Sequence, residues 1–546
     1  MKKYTLITVI SLLIFINQLI AQDVYHGQRD EWLKIAVASQ PKLIVSEKRP
    51  MSVVTISKNE KAFQGWKVIS NAQINSFYNA SMKKQSGIIL DFGEHLTGFV
   101  TFRIEDFGKG VADAPIRMRF TFAEVPAEAV LPFDPYKGKL SRGWLQDEIV
   151  TVSEVPLNIT IPRRVAFRYL KIEVLGSSIY SDFKISDIYL NATTSAQKKI
   201  TPLAEGTPEL MRRIDQVGQN TLKECMQTVY EDGPKRDRRL WIGDLYLESL
   251  ANQFSFKNDS LTKHCLYLLA ALSYDSGVAP SNIFERPEPH AQDNPLFDYA
   301  LIYNTILKEY LVATGDKKTA IDLWQVALEQ LKIPMKYIKD DGMIDYERAG
   351  KEWWLFFDWK DGLDKQACLQ GCVIWAFKNS YELAKKLGKE NEVSELPALI
   401  NKMTKAAHTN LYDANLGIFI SGKARQISYA SQAWMVLSGV ASKGEGAIAL
   451  RNLSQMADVV YPGAPYLYHY VVEAMIMTGL NQEAKNMIIT YWGGMVNKGA
   501  DTFWEVFDSS DDYVSPYNSF LVNSYCHAWS CTPVYFIRKY PEIFQK

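Results

Sequence analysis

Gly98-Phe99-Val100-Thr101-Phe102-Arg103-Ile104 puts Val100, Phe102 and Ile104 on one side of an extended chain and Thr101 and Arg103 on the other. Successive side chains of a strand point to opposite faces, so this period of two predicts a strand with one buried face. Ile88-Ile89-Leu90-Asp91-Phe92-Gly93 leads into it. Further out, residues 116–122, 158–161 and 169–174 alternate in the same way. Short strands at regular spacing, punctuated by Gly, Pro and Asp, predict a β-sandwich over residues 22–198. Beyond Thr201 the apolar positions recur at the helical period instead. Residues 210–228, 261–272, 300–314, 319–333, 372–387, 393–411, 428–437, 467–477 and 482–492 read as amphipathic helices. Longer loops rich in Pro, Trp and acidic residues separate them at 279–299, 341–365 and 493–520. Paired helices with loops gathered at one end predict an α/α toroid over residues 199–546, with the site on the loop face. The fold class is therefore multidomain β + α.

The 546 residues are too many for one ordinary domain, which agrees with this division. With 61 basic and 61 acidic residues the net charge is zero, so nothing draws the chain towards nucleic acid. The 13 Trp and 29 Tyr suit stacking on sugars, though such side chains also fill cores. Lys2 and Lys3 precede an apolar run over residues 6–20 that ends at Ala21, the pattern of a signal peptide spanning 1–21. The run is too short and interrupted for a membrane span, so no membrane insertion of the mature chain is expected. Export to the periplasm is the expectation, with secretion as the alternative. The six cysteines, at 225, 265, 368, 372, 526 and 531, are too scattered for a disulfide framework and lack zinc-type pairing. Buried thiols are expected, with no metal and no cofactor.

Three stretches carry a family resemblance. Asp91-Phe92-Gly93-Glu94-His95-Leu96-Thr97-Gly98, with Phe167-Arg168-Tyr169-Leu170 later in the sandwich, resembles glycoside hydrolase family 78, the α-L-rhamnosidases. Asp232-Gly233-Pro234-Lys235-Arg236-Asp237-Arg238-Arg239-Leu240-Trp241-Ile242-Gly243-Asp244 is similar to that family's DCPQRDERLGWTGD stretch. Thr502-Phe503-Trp504-Glu505 resembles its TFWE, and Ser524 to Ser530 its closing S..HaWs. The resemblance implies an (α/α)6 toroid, an inverting pair of carboxyl groups and a general base at Glu505. It departs at two points. The stretch is one residue short before Trp241. The general acid of the family stands where this chain has Arg238, and arginine cannot act as an acid near neutral pH.

Arginine there, within Lys235-Arg236-Asp237-Arg238-Arg239, has two readings. One is a structural ion-pair network with Asp232, Asp237, Asp244 and Glu248. The other is a clamp on an anionic sugar, because the guanidinium fork matches a carboxylate or sulfate. On the second reading, the resemblance to lyases and dehydratases on this toroid fold implies a uronate–rhamnose oligosaccharide as substrate. Arg238 and Arg239 neutralise the uronate, a base removes the proton at C5, and the C4 substituent leaves by β-elimination, as in a lyase or dehydratase. Base and donor candidates are Glu505, His527, His290 and Tyr299. Asp232, Arg236, Trp241, Asp244, Trp354, Asp358, Trp359 and Trp504 complete the expected sugar-binding set, with core packing as the alternative for at least one Trp. An α-L-rhamnosidase with a displaced acid, Asp237 or Asp244, is the first alternative. A catalytically silent sugar-binding homologue is the second.

Overall fold

The computed structural model describes residues 23–84, 87–108, 114–197 and 200–546. The expected signal peptide, residues 1–21, lies outside the described residues. The strands are β1 (Ile44–Lys48), β2 (Ser52–Lys58), β3 (Trp66–Gln73), β4 (Ile88–Asp106), β5 (Ile116–Ala123), β6 (Asp147–Val152), β7 (Leu157–Thr160), β8 (Val165–Gly176) and β9 (Phe183–Thr194). All pair antiparallel, and β4 is the spine. Its first part pairs with β2 and β8, its second with β7 and β9. Pairing with β2 ends at Asp91, at a register shift between Asp91 and Leu96 where Gly93 takes φ 83°; pairing with β8 continues from Leu96 to Gly98, where pairing with β9 begins. A left-handed glycine accommodates such a bulge without the strain a side chain would add. The alternation at 98–104 is real: Val100, Phe102 and Ile104 are fully buried and meet Phe120, Phe167, Ile185 and Leu190.

The N-terminal segment departs from the sequence reading. Residues 23–43 do not join the sandwich, because Arg29–Ser39 is a helix packed against the toroid helix Asp259–Ala271. Tyr25, Trp32 and Ala36 enter the toroid core, and the ring of His264 bonds the carbonyl of Ala36 at 2.7 Å.

From Glu209 onward the chain is mainly helical, with a few two- and three-residue strands in the connections. The inner helices Ile242–Gln253, Phe297–Thr314, Gln366–Leu387, Tyr429–Leu437, Pro465–Thr478 and Pro533–Lys539 touch in succession, the last gap bridged by the turn Ala528–Cys531. Outside them lie Glu209–Cys225, Asp259–Ala271, Trp324–Met335, Leu396–Leu411, Lys443–Leu453 and Asn481–Asn497, giving an (α/α)6 toroid. Residues 319–333, expected as one helix, are two, Lys317–Asp322 and Trp324–Met335. The sequence reading missed Ile242–Gln253, whose residues from Ile242 to Asn252 are all buried, so no polar stripe marks its period. Among the described residues no helix is long and apolar enough to cross a membrane. All six cysteines are buried free thiols, and Cys225 and Cys526 meet at 4.0 Å.

Candidate active site

The carboxyl groups converge at the loop end of the toroid axis. Asp232 organises the loop that follows Glu209–Cys225: its two carboxyl oxygens accept the backbone N–H groups of Asp237 and Arg239, each at 3.0 Å. The turn is tight enough that a side chain at Gly233 would meet the carbonyl of Arg236 at 2.4 Å. Arg238 then takes φ 64°, a left-handed conformation that sends consecutive side chains to different sides of the loop. Arg236 and Asp237 line the pocket; Arg238 does not.

Arg236 is the hub. It donates from Nη1 to Asp237 at 3.0 Å, from Nη2 to Glu505, and from Nε to the carbonyl of Val522 at 2.9 Å. Its guanidinium lies 4.4 Å from the ring centre of Tyr517, whose hydroxyl donates to the other oxygen of Glu505. Glu505 also accepts the N–H of Ser524 at 3.3 Å. Burial pushes the Glu505 pKa up, with Arg236 and Tyr517 opposing. Asp237 keeps 18% side-chain exposure, whereas Glu505 keeps 2%. One guanidinium thus spans an open carboxylate and a sealed one.

Beneath them His527 stands 3.6 Å from Asp244 and 3.9 Å from Asp232. Burial, then Arg236, pushes its pKa well down, which favours the neutral imidazole. Burial and Asp237 push Asp232 up to about 8, and burial and Asp232 push Asp244 well above the carboxylate range. Asp244 Oδ1, His527 Nδ1 and Trp359 Nε1 are buried without hydrogen-bond partners. Groups of that kind are rare in native proteins, and sugar hydroxyls would satisfy them. Trp241, Tyr299, Trp354, Phe356, Trp359 and Trp529 supply the walls. A side chain at Gly243 would strike the Tyr299 ring at 2.3 Å, so glycine there makes room for that wall.

Of the residues expected from sequence, Asp232, Arg236, Asp237, Trp241, Asp244, Tyr299, Trp354, Trp359, Glu505 and His527 come together. Five do not. Arg238 turns to the sandwich and donates to the carbonyls of Pro234 at 2.9 Å and Arg164 at 2.7 Å, which spends its fork on backbone. Arg239 lies over the Phe284 ring at 4.0 Å and bonds Gln292. His290 is exposed and stacks on the same Phe284 ring at 5.0 Å. Trp504 stacks on Phe63 of the sandwich at 4.1 Å. Asp358 accepts the N–H of Gly463 at 2.6 Å and pins a loop rather than lining the pocket. The reading missed Leu296, Phe356, Tyr517 and Trp529 as site residues. Tyr517 lies in a long loop already marked for its composition, but nothing local aims it at Glu505.

The charge balance decides against the clamp. Among the described residues lining the pocket, Arg236 is the cation against Asp232, Asp237, Asp244 and Glu505, and it is already engaged. A wider groove of about 840 Å³ on the toroid flank, between Lys443–Leu453 and Asn481–Asn497, gathers no comparable set of carboxyl groups.

Residues 50–192 match the family model for the glycosyl hydrolase family 78 alpha-rhamnosidase N-terminal domain. Residues 205–540 match that for the bacterial alpha-L-rhamnosidase 6 hairpin glycosidase domain. Among solved structures, a rhamnosidase from Klebsiella oxytoca with rhamnose bound is 38% identical, covers 94% of this chain and 99% of its own, and superposes with a TM-score of 0.90. The family 78 rhamnosidase of Bacillus sp. GL1 is 22% identical, with 83% of this chain and 46% of its own covered at a TM-score of 0.67. The α-L-rhamnosidase of Aspergillus terreus is 16% identical, with 91% and 54% covered at 0.67. These two share the fold. No curated protein sequence matches.

Proposed function

The chain belongs to glycoside hydrolase family 78, and on that premise we propose that it is an α-L-rhamnosidase working by inversion, with Asp237 as general acid and Glu505 as general base. The observation that carries this reading is the pair of carboxyl groups held across the Arg236 guanidinium, one open and one sealed. An inverting pair needs about 6.5–9.5 Å between its carboxyl groups, so that water fits beneath the sugar. Asp237, at the mouth, protonates the leaving oxygen; Glu505, in the wall, takes a proton from the attacking water. The acid thus sits one residue before the position where the family carries it. Asp232, Asp244 and His527 receive the sugar hydroxyls, and the aromatic walls receive the apolar face and methyl group of a 6-deoxy sugar. The rhamnose bound in the Klebsiella oxytoca relative supports this choice of sugar. Elimination from a uronate finds no free cation here to neutralise its carboxylate, and we set it aside. Export through residues 1–21 belongs to the same proposal and places the enzyme in the periplasm.

The test separates the two roles. Wild type should release p-nitrophenol from its α-L-rhamnoside, and the first-formed sugar should be the β-anomer by proton NMR. Glu505→Gln should lower kcat by about 10²–10⁴ on every rhamnoside. Asp237→Asn should do so on alkyl rhamnosides but much less on the aryl one, whose leaving group needs little protonation. Rising absorbance near 235 nm with uronate–rhamnose oligosaccharides would restore elimination, and binding without turnover would leave a sugar-binding homologue.

A further inference from the structure

A set of charged side chains is buried where the sandwich meets the catalytic loop. Glu124 and Glu128, just past β5, are buried, as are His95 from β4 and Lys235 from the toroid. Lys235 Nζ binds Glu128, Glu124 at 3.3 Å, and the carbonyls of Asn523 at 2.8 Å and Leu521 at 3.3 Å. Glu124 also takes the N–H of Tyr525 at 2.8 Å and meets His95 at 3.1 Å. Glu128 takes the backbone N–H of Glu124 at 2.7 Å, so its carboxylate is tied to the main chain of the other residue.

The toroid segments held in this way are the ones that hold the carboxylate pair. Lys235 precedes Arg236. Val522, between Leu521 and Asn523, accepts from Arg236, and Ser524, before Tyr525, donates to Glu505. On the other side of Glu505, the N–H of Lys139 donates to the carbonyl of Tyr517 at 2.8 Å, and Leu145 packs with Tyr517 and Val522. Buried ion groups pay a desolvation cost that well-packed apolar side chains avoid, so stability alone does not require them. What directional charges add is position.

We propose that Glu124 and Glu128 of the sandwich are positioning residues for the carboxylate pair, acting through Lys235 to hold Arg236 against Glu505. The sandwich is then half of the active-site scaffold. This rests on the reading of Asp237 and Glu505 as the catalytic pair.

Two measurements test it. The first is kinetics on the aryl rhamnoside for the isosteric Glu128→Gln and for Lys235→Met combined with Glu128→Gln, which removes a charge together with its partner. The double variant should lose at least about tenfold in kcat with KM within about twofold, and Lys235→Arg should keep more activity than Lys235→Met. In a Glu505→Gln background the double change should cost nothing further, because the group it positions is already gone. Unchanged kcat, or the same fractional loss in both backgrounds, overturns the proposal. The second is a crystal structure of the double variant, where Arg236 should have left Glu505; an unmoved pair overturns the proposal. Absence of rhamnoside hydrolysis by wild type would sink the functional reading instead, and the crystal structure would then decide this one alone.

Discussion

Arg236 and Arg238 leave one loop two residues apart and end in opposite places. Arg236 points inward, buried between Asp237 and Glu505. Arg238, past a left-handed turn, points to the sandwich and satisfies backbone carbonyls, where burial and then Arg164 push its pKa down. In composition they are the same cation. What separates them is backbone direction: one orders a reactive pair, the other fastens the loop that carries it. Charge density along a sequence therefore says little about the charge a pocket presents.

The largest effect should come from Arg236→Ala. It strips the common donor from both carboxylates and leaves Glu505 buried without its cation, so kcat should fall by about 10³ and stability by about 3–5 kcal/mol. Kinetics with a denaturant melt check both. Arg236→Lys retains charge but not the fork, and about 10²-fold should still be lost.

The pH profile sharpens the contrast. Glu505 acts as a base only when ionised. Burial already raises its pKa, and Arg236 holds that rise in check. Removing Arg236 should therefore move the acid limb of kcat/KM up by about one unit or more, while Arg238→Ala should leave it in place. If both variants shift the limb equally, the division of labour between the two arginines is wrong.

Arg238→Ala should cost about 1–3 kcal/mol of stability through unsatisfied carbonyls and keep kcat within about tenfold of wild type. A larger kinetic loss would return Arg238 to the reaction. The smallest effect belongs to His290→Ala: the side chain is exposed, so kcat should hold and stability should change by no more than about 0.5 kcal/mol.

Much of the scaffold was legible because local patterns report local burial. The alternation at 98–104 marks a half-buried strand, and 210–228 reads as a helix, observed as Glu209–Cys225, because one face is polar. Ile242–Gln253 was lost for the converse reason, being buried all round. Lys443–Leu453 carried a readable start, the Ser442/Glu445 capping box, which went unused. In the site, the residues drawn from the matched motifs mostly came together. The failures were Arg238, Arg239 and Trp504, where the motif was right and the direction of the side chain was not, and Asp358 and His290, which belong to neighbouring loops. Phe356 and Tyr517 were missed because their link to the pocket spans loops that no local period describes.

By itself the sequence determined the order of a strand-rich and a helix-rich half, the family resemblance and the carboxylate at Glu505, since each rests on residue types at fixed spacing. Only the tertiary structure decided that residues 29–39 dock on the toroid, that Asp237 rather than Arg238 faces the pocket, and that Glu124 and Glu128 reach across to Lys235. The reason is physical. Spacing sets which residues can share an element, but the direction of a side chain in a loop depends on backbone angles fixed by contacts from chain far away in sequence.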